Sequence, residues 1–212
     1  MAQLLRGTCL VLPFLALSLA FPTSRSTLPL CNDIPQPCSC PAGATFENTT
    51  TYATIGAKAR DIGHVTNDFF NTTWFDVVVI RTTGVDNVYG ATRTFSIGDN
   101  ATLTEKLIER AVYPDGSFIQ RYRQNPVPAE VQKPAAEGGG TFVGYWETLT
   151  VTQTSVADES NVAYGAYRCN IGDPFDTVTF HVDSINYAIA ALTSEGLLTG
   201  TNTAPYTIGA GS

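Results

Sequence analysis

Between Tyr89 and Ile171 the chain repeatedly alternates apolar and polar residues with period two, and that pattern commits it to antiparallel strands. In Tyr89–Ile97, residues Tyr89, Ala91, Phe95 and Ile97 share one face, and Arg93 falls among them. After the turn Gly98-Asp99-Asn100, the run Ala101–Val112 places Leu103, Leu107 and Ala111 on one face together with Glu105 and Glu109. A three-residue turn pairs Ile97 with Ala101, so the register sets Phe95 opposite Leu103 and Arg93 opposite Glu105. Two opposite charges then meet on the inner face.

The turn Tyr113-Pro-Asp-Gly116, read as a four-residue loop, pairs Val112 with Ser117 and turns Phe118, Gln120 and Tyr122 inward. Residues 125–140, rich in Pro, Ala and Gly, read as an exposed loop. In Thr141–Thr152, Val143, Tyr145, Leu149 and Val151 alternate inward with one charge, Glu147, while Phe142, Thr148, Thr150 and Thr152 face out. Val162–Ile171 follows, and Ala163, Gly165, Tyr167, Cys169 and Ile171 are assigned inward. Upstream, Tyr52–Ala59 and Val77–Ile80 read as strands and Asp61–Phe75 as a short helical connection.

One long helix ends the pattern. Asp173 is placed as its N-cap and Pro174 at its first position, and Val178, Val182, Ile185, Ile189 and Leu192 recur at helical spacing until Gly196. His181 stands at the edge of that stripe and reads as a packed helix histidine that touches any cavity beneath it. Residues 197–212, Gly/Thr-rich, read as a flexible tail.

The first 20 residues read as a secretory signal: Arg6, an apolar run from Cys9 to Leu17, then Ser18-Leu-Ala20. Residues 21–44 form a Cys/Pro-rich leader, and the expected domain spans 45–196. Without Cys9, the cysteines are Cys31, Cys38, Cys40 and Cys169, an even number that reads as two disulfides in an oxidising compartment, with Cys169 reaching back to the leader cluster. Cys38-Ser-Cys40 lacks the spacer of a zinc site, and no metal site is expected. Asn48, Asn71 and Asn100 begin Asn-x-Thr sequons, which fit an extracellular glycoprotein. With 12 Lys+Arg against 19 Asp+Glu and 15% charged residues, nucleic acid is excluded as an expected partner, and no segment reads as an integral membrane span. Oligomeric state is not legible.

Gly90-Ala-Thr-Arg-Thr-Phe95, Leu103-Thr-Glu-Lys-Leu107, Tyr122, and Tyr145 six residues before Val151 together resemble the START-like superfamily of helix-grip proteins, which includes birch-pollen-allergen-type proteins and polyketide cyclases. The resemblance implies an α+β fold in which a seven-stranded curved antiparallel sheet wraps around the long C-terminal helix and leaves an internal cavity for apolar small molecules. It also implies that Arg93, Phe95, Glu105, Tyr122, Tyr145 and Glu147 stand on the cavity wall, with Ile185 and Ile189 facing them.

An unpaired inward charge in a dry core costs several kcal/mol, so Arg93, Glu105 and Glu147 must pair or face a wet or ligand-filled cavity. Two function classes follow. One is a secreted protein that holds a lipid or secondary metabolite against Phe95, Leu107, Phe118, Gln120, Tyr122, Leu149, Tyr167, His181, Ile185 and Ile189. The other is a cyclase or isomerase without metal or organic cofactor, using Arg93, Glu105, Tyr145 and Glu147 to move a proton or steady an enolate. A weaker third class is an interaction protein whose cavity is filled by its own side chains.

Overall fold

The computed structural model describes residues 40, 42–97, 101–125, 140–172 and 175–211. They form one eight-stranded antiparallel sheet, with β1 Thr45–Ile55, β2 Val79–Thr83, β3 Thr92–Ile97, β4 Ala101–Val112, β5 Phe118–Gln124, β6 Gly140–Gln153, β7 Ser160–Gly172 and β8 Tyr206–Gly211. Spatial order is β2-β3-β4-β5-β6-β7-β1-β8. Helix α1 (Ala59–Thr66) and a 3-10 turn (Thr73–Phe75) lie between β1 and β2, and α2 (Thr177–Ser194) precedes β8. Helix α2 packs against α1, the 3-10 turn and β1. This is the helix-grip arrangement, with one strand more than the resemblance implies.

The β3–β4 register follows the alternation: Arg93 pairs with Glu105, Phe95 with Leu103 and Ile97 with Ala101. Past Leu107 the parity changes. A bulge between Leu107 and Glu109 makes Arg110 the partner of inward Gln120, while Glu109 pairs with Arg121, its carboxylate 2.5 Å from the guanidinium. The inward placement of Glu109 and Ala111 is thereby corrected. Val112 pairs with Phe118, not Ser117, yet Phe118, Gln120 and Tyr122 still face inward, each at most 1% exposed. A second bulge between Phe142 and Gly144 brings Phe142 to the inner side beside Tyr145, against the expectation that it faces out. Tyr89 lies outside β3 and is exposed.

Strand β7 has the opposite parity to the one expected. Val162, Tyr164, Ala166 and Arg168 face in, and Tyr167 lies on the convex face, stacked on Phe46 with ring centroids 6.1 Å apart. Cys169 is fully buried on the convex side because it is bonded to Cys40 across a sequence separation of 129. Closing a loop of that length is worth about 5 kcal/mol in the chain-entropy picture.

The helix begins later than Asp173, which lies outside the described residues with Pro174. Asp176 is the cap: its carboxylate accepts from the Thr179 amide at 3.0 Å and from the Thr179 hydroxyl at 2.7 Å. The buried stripe is Thr177, His181, Ser184, Ile185, Ala188 and Leu192, rotated from the apolar row, so that Val178 is exposed and Ile189 half-buried. The segment read as a flexible tail is tied down. Thr199 and Gly200 amides donate to the Gly56 carbonyl, Thr203 donates to Thr54, and β8 pairs with β1 from Glu47 to Tyr52. A Cβ on Gly56 would lie 2.1 Å from the Gly200 backbone, so only glycine allows that approach.

Candidate functional site

The concave face of the sheet carries polar groups in two linked clusters. In the first, Arg93 is fully buried and its Nε and Nη2 lie 2.6 Å from Glu105 Oε2, while Nη1 donates to the Phe69 carbonyl at 2.7 Å. Its guanidinium is enclosed by the rings of Phe69, Tyr122 and Phe75, with centroids at 4.4, 4.6 and 4.9 Å. Tyr145 donates its hydroxyl to Glu105 Oε1 at 2.6 Å. In the second cluster, Tyr164 donates to Glu147 Oε2 at 2.8 Å and its hydroxyl lies 2.5 Å from that of Tyr122. His181 stacks on Tyr164 at 3.7 Å and holds Nε2 3.5 Å from Glu147 Oε1.

These partners set the charge states. Burial pushes the Glu105 carboxyl up to about 7 against the pull of Arg93, and Arg93 itself stays protonated because Glu105 outweighs its own desolvation. Burial also opposes ionisation of Glu147, but hydrogen bonds and charge from His181, with Tyr164, hold its carboxyl below the ordinary range. Burial drives the hydroxyls of Tyr122, Tyr145 and Tyr164 well above the usual tyrosine range, so all three remain donors at neutral pH.

A cavity of about 300 Å³ opens between this floor and the N-terminal half of α2. Its wall includes Phe75, Phe95, Phe142, Phe175, Phe180 and Tyr187, its floor Glu105, Tyr145, Glu147 and Arg168, and its rim Asp76 and Asp183. Of the residues expected at a ligand site, Phe95, Glu105, Tyr145 and Glu147 line it. Arg93, Tyr122 and His181 support it from behind. Leu107, Phe118, Leu149, Ile185 and Ile189 belong to the packed core instead, and Gln120 donates to the Asn67 carbonyl at 3.3 Å. Tyr167 is on the other side of the sheet, which corrects its placement in the site.

Sequence reasoning missed Tyr164, Arg168, Phe142, Phe175 and Phe180. Arg168 was legible: it interrupts an apolar row just as Arg93, Glu105 and Glu147 do, and it pairs with Glu47 and donates to the Phe175 carbonyl at 2.6 Å and to Thr177. Asn48 and Asn71 are half-buried, with Asn71 Oδ1 accepting from the Thr73 hydroxyl at 2.7 Å, while Asn100, Cys31 and Cys38 lie outside the described residues. Among the described residues no helix is long and apolar enough to cross a membrane, and no three His, Cys, Asp or Glu side chains converge as a metal site.

Residues 46–210 match a family model described as a START domain. No curated protein matches the chain. Among solved structures, the Zhui aromatase/cyclase from Streptomyces sp. R1128 is similar over 71% of this chain and 96% of its own, at 10% identity and a TM-score of 0.50. Norcoclaurine synthase from Thalictrum flavum, solved with dopamine and hydroxybenzaldehyde, covers 72% of this chain and 89% of its own at 13% identity and a TM-score of 0.46. An uncharacterised Bacillus thuringiensis protein covers 69% and 98% at 15% identity and a TM-score of 0.48. At such identities the likeness speaks to fold alone.

Proposed function

The chain belongs to the START-domain family, and from that premise we propose that it is an exported protein that binds an apolar small molecule in its internal cavity. The observation that carries this reading is the cavity itself: aromatic walls around a small set of convergent polar groups, the composition of ligand sites in general. Export is supported by the signal-like first 20 residues and by the Cys40–Cys169 bridge, which suits an oxidising compartment. Glycosylation at Asn48, Asn71 and Asn100 belongs to the same reading. Native mass spectrometry of protein secreted from a eukaryotic host tests it: one small apolar molecule per chain is expected, displaceable by a neutral fluorophore such as Nile red. Absence of both bound molecule and fluorophore binding overturns it.

A catalytic reading rests on one further observation. Glu105 reaches the cavity with its carboxyl pushed to about 7, where a proton acceptor works near neutral pH, with Arg93 balancing its charge and Tyr145 fixing Oε1. In this reading the protein is a cyclase or isomerase that removes an acidic proton from a carbonyl-bearing ligand. Solvent hydrogen exchange at the acidic carbon of a 1,3-diketone should be accelerated by the wild type and not by Glu105→Gln; equal rates would remove the catalytic role.

A further inference from the structure

The charged donors of the cavity are already committed. Arg168 is the only cation among the described lining residues, and it directs Nε and Nη2 to Glu47 and Nη1 to the Phe175 carbonyl and Thr177. The Tyr145 hydroxyl donates its hydrogen bond to Glu105 and the Tyr164 hydroxyl donates to Glu147. The acceptors are in excess. Arg93 balances Glu105 and Glu47 balances Arg168, which leaves Asp76 and Asp183 on the rim without an ion-pair partner among the described residues, and Glu147 on the floor with only the His181 imidazole, 3.5 Å from Oε1, as a counter-group. Phe142, Phe175, Phe180 and Tyr187 supply ring faces that attract cations and stack on flat rings.

The volume narrows the choice further. About 300 Å³ is the small end of ligand pockets, which suits a compact fused-ring molecule and not a long acyl chain. We infer that the ligand is a compact aromatic molecule carrying a protonated amine, its ring between Phe142 and Phe180 and its ammonium directed to Glu147. The inference rests on the ligand-binding reading above and names the chemistry of that same site. A carboxylate-bearing ligand is disfavoured, because it would meet Asp76, Asp183 and the His181-paired Glu147, and no arginine or lysine left free among the described lining residues.

The test uses three near-isosteric probes at pH 8 by titration calorimetry on the full secreted chain: tryptamine (cationic), tryptophol (neutral) and indole-3-acetate (anionic). Tryptamine should bind at least tenfold tighter than tryptophol, and indole-3-acetate weakest. Glu147→Gln should reduce the tryptamine-to-tryptophol ratio to within threefold. Because that buried substitution risks the fold, Asp183→Asn on the exposed rim gives an independent readout and should lower the same ratio about twofold, as should raising the salt concentration. Tryptamine binding no tighter than tryptophol overturns the inference. So does failure of all three probes to bind while Nile red does, and in either case the cavity reading survives; if Nile red also fails, both fall.

Discussion

Replacing Glu105 by Leu would strand the Arg93 guanidinium in a site with no solvent access, enclosed by three rings and holding only the Phe69 carbonyl as a second acceptor. Removing one partner of such a pair costs about 3–5 kcal/mol, because the surviving charge stays buried without compensation. For a domain of this size that corresponds to a loss of about 6–20 °C in Tm, at roughly 2–4 °C per kcal/mol. Adding Arg93→Met should restore most of it, to within about 1 kcal/mol of the wild type, since Met keeps apolar contact with Phe69, Phe75 and Tyr122 and no charge is left to solvate. The assay is urea unfolding followed by the fluorescence of buried Trp74 and Trp146 at pH 8, where Glu105 is ionised. A cost below about 1 kcal/mol for Glu105→Leu, or a double variant as unstable as the sum of the singles, would refute the reasoning.

The pH dependence carries a definite sign. The Glu105 carboxyl is raised on folding, from 4.5 to about 7, so the native state holds its proton more tightly than the unfolded chain does. The stabilisation linked to that bound proton is full below about pH 4.5 and fades as pH rises through about 7, leaving the pairing with Arg93 in place. A Tm series from pH 5 to 8 should therefore fall less steeply in Glu105→Gln than in the wild type; parallel slopes would count against the shift. Tyr164→Phe should cost about 1–3 kcal/mol through the lost bonds to Glu147 and Tyr122, against under about 0.5 kcal/mol for Tyr167→Phe on the convex face. Equal costs would return β7 to the parity first expected.

Alternation carried the sheet and the Arg93–Glu105 pairing because both depend on local period and on a turn of fixed length, and those are written in consecutive residues. The bulges at Ile108 and Val143 were not legible, since an inserted residue leaves the composition of a strand unchanged while reversing which face its later residues occupy. In β7 both rows contain apolar residues, so alternation alone does not choose between them, and the row with Cys169 reads as the inner one. That reading overlooks what β3, β4 and β6 already display, an inward charge on each strand beneath the cavity. Helix α2 shows the same physics: its apolar row reads as the buried one, yet the stripe that is buried includes Thr177, His181 and Ser184, with Thr177 at the cavity. The tail was read as flexible because its Gly/Thr composition hides a strand that is stabilised by pairing with β1, a contact some 155 residues distant in sequence.

The central claim is that the space between α2 and the concave sheet takes up a ligand, and filling that space tests it most directly. Ala166 is 2% exposed and lines the cavity floor, so Ala166→Phe, checked for folding by its melting transition, occupies the site with the protein's own side chain. In a Nile red titration the wild type should bind one molecule per chain saturably, and folded Ala166→Phe should lose at least tenfold in affinity. Unchanged affinity in the folded variant would place binding elsewhere and contradict the account.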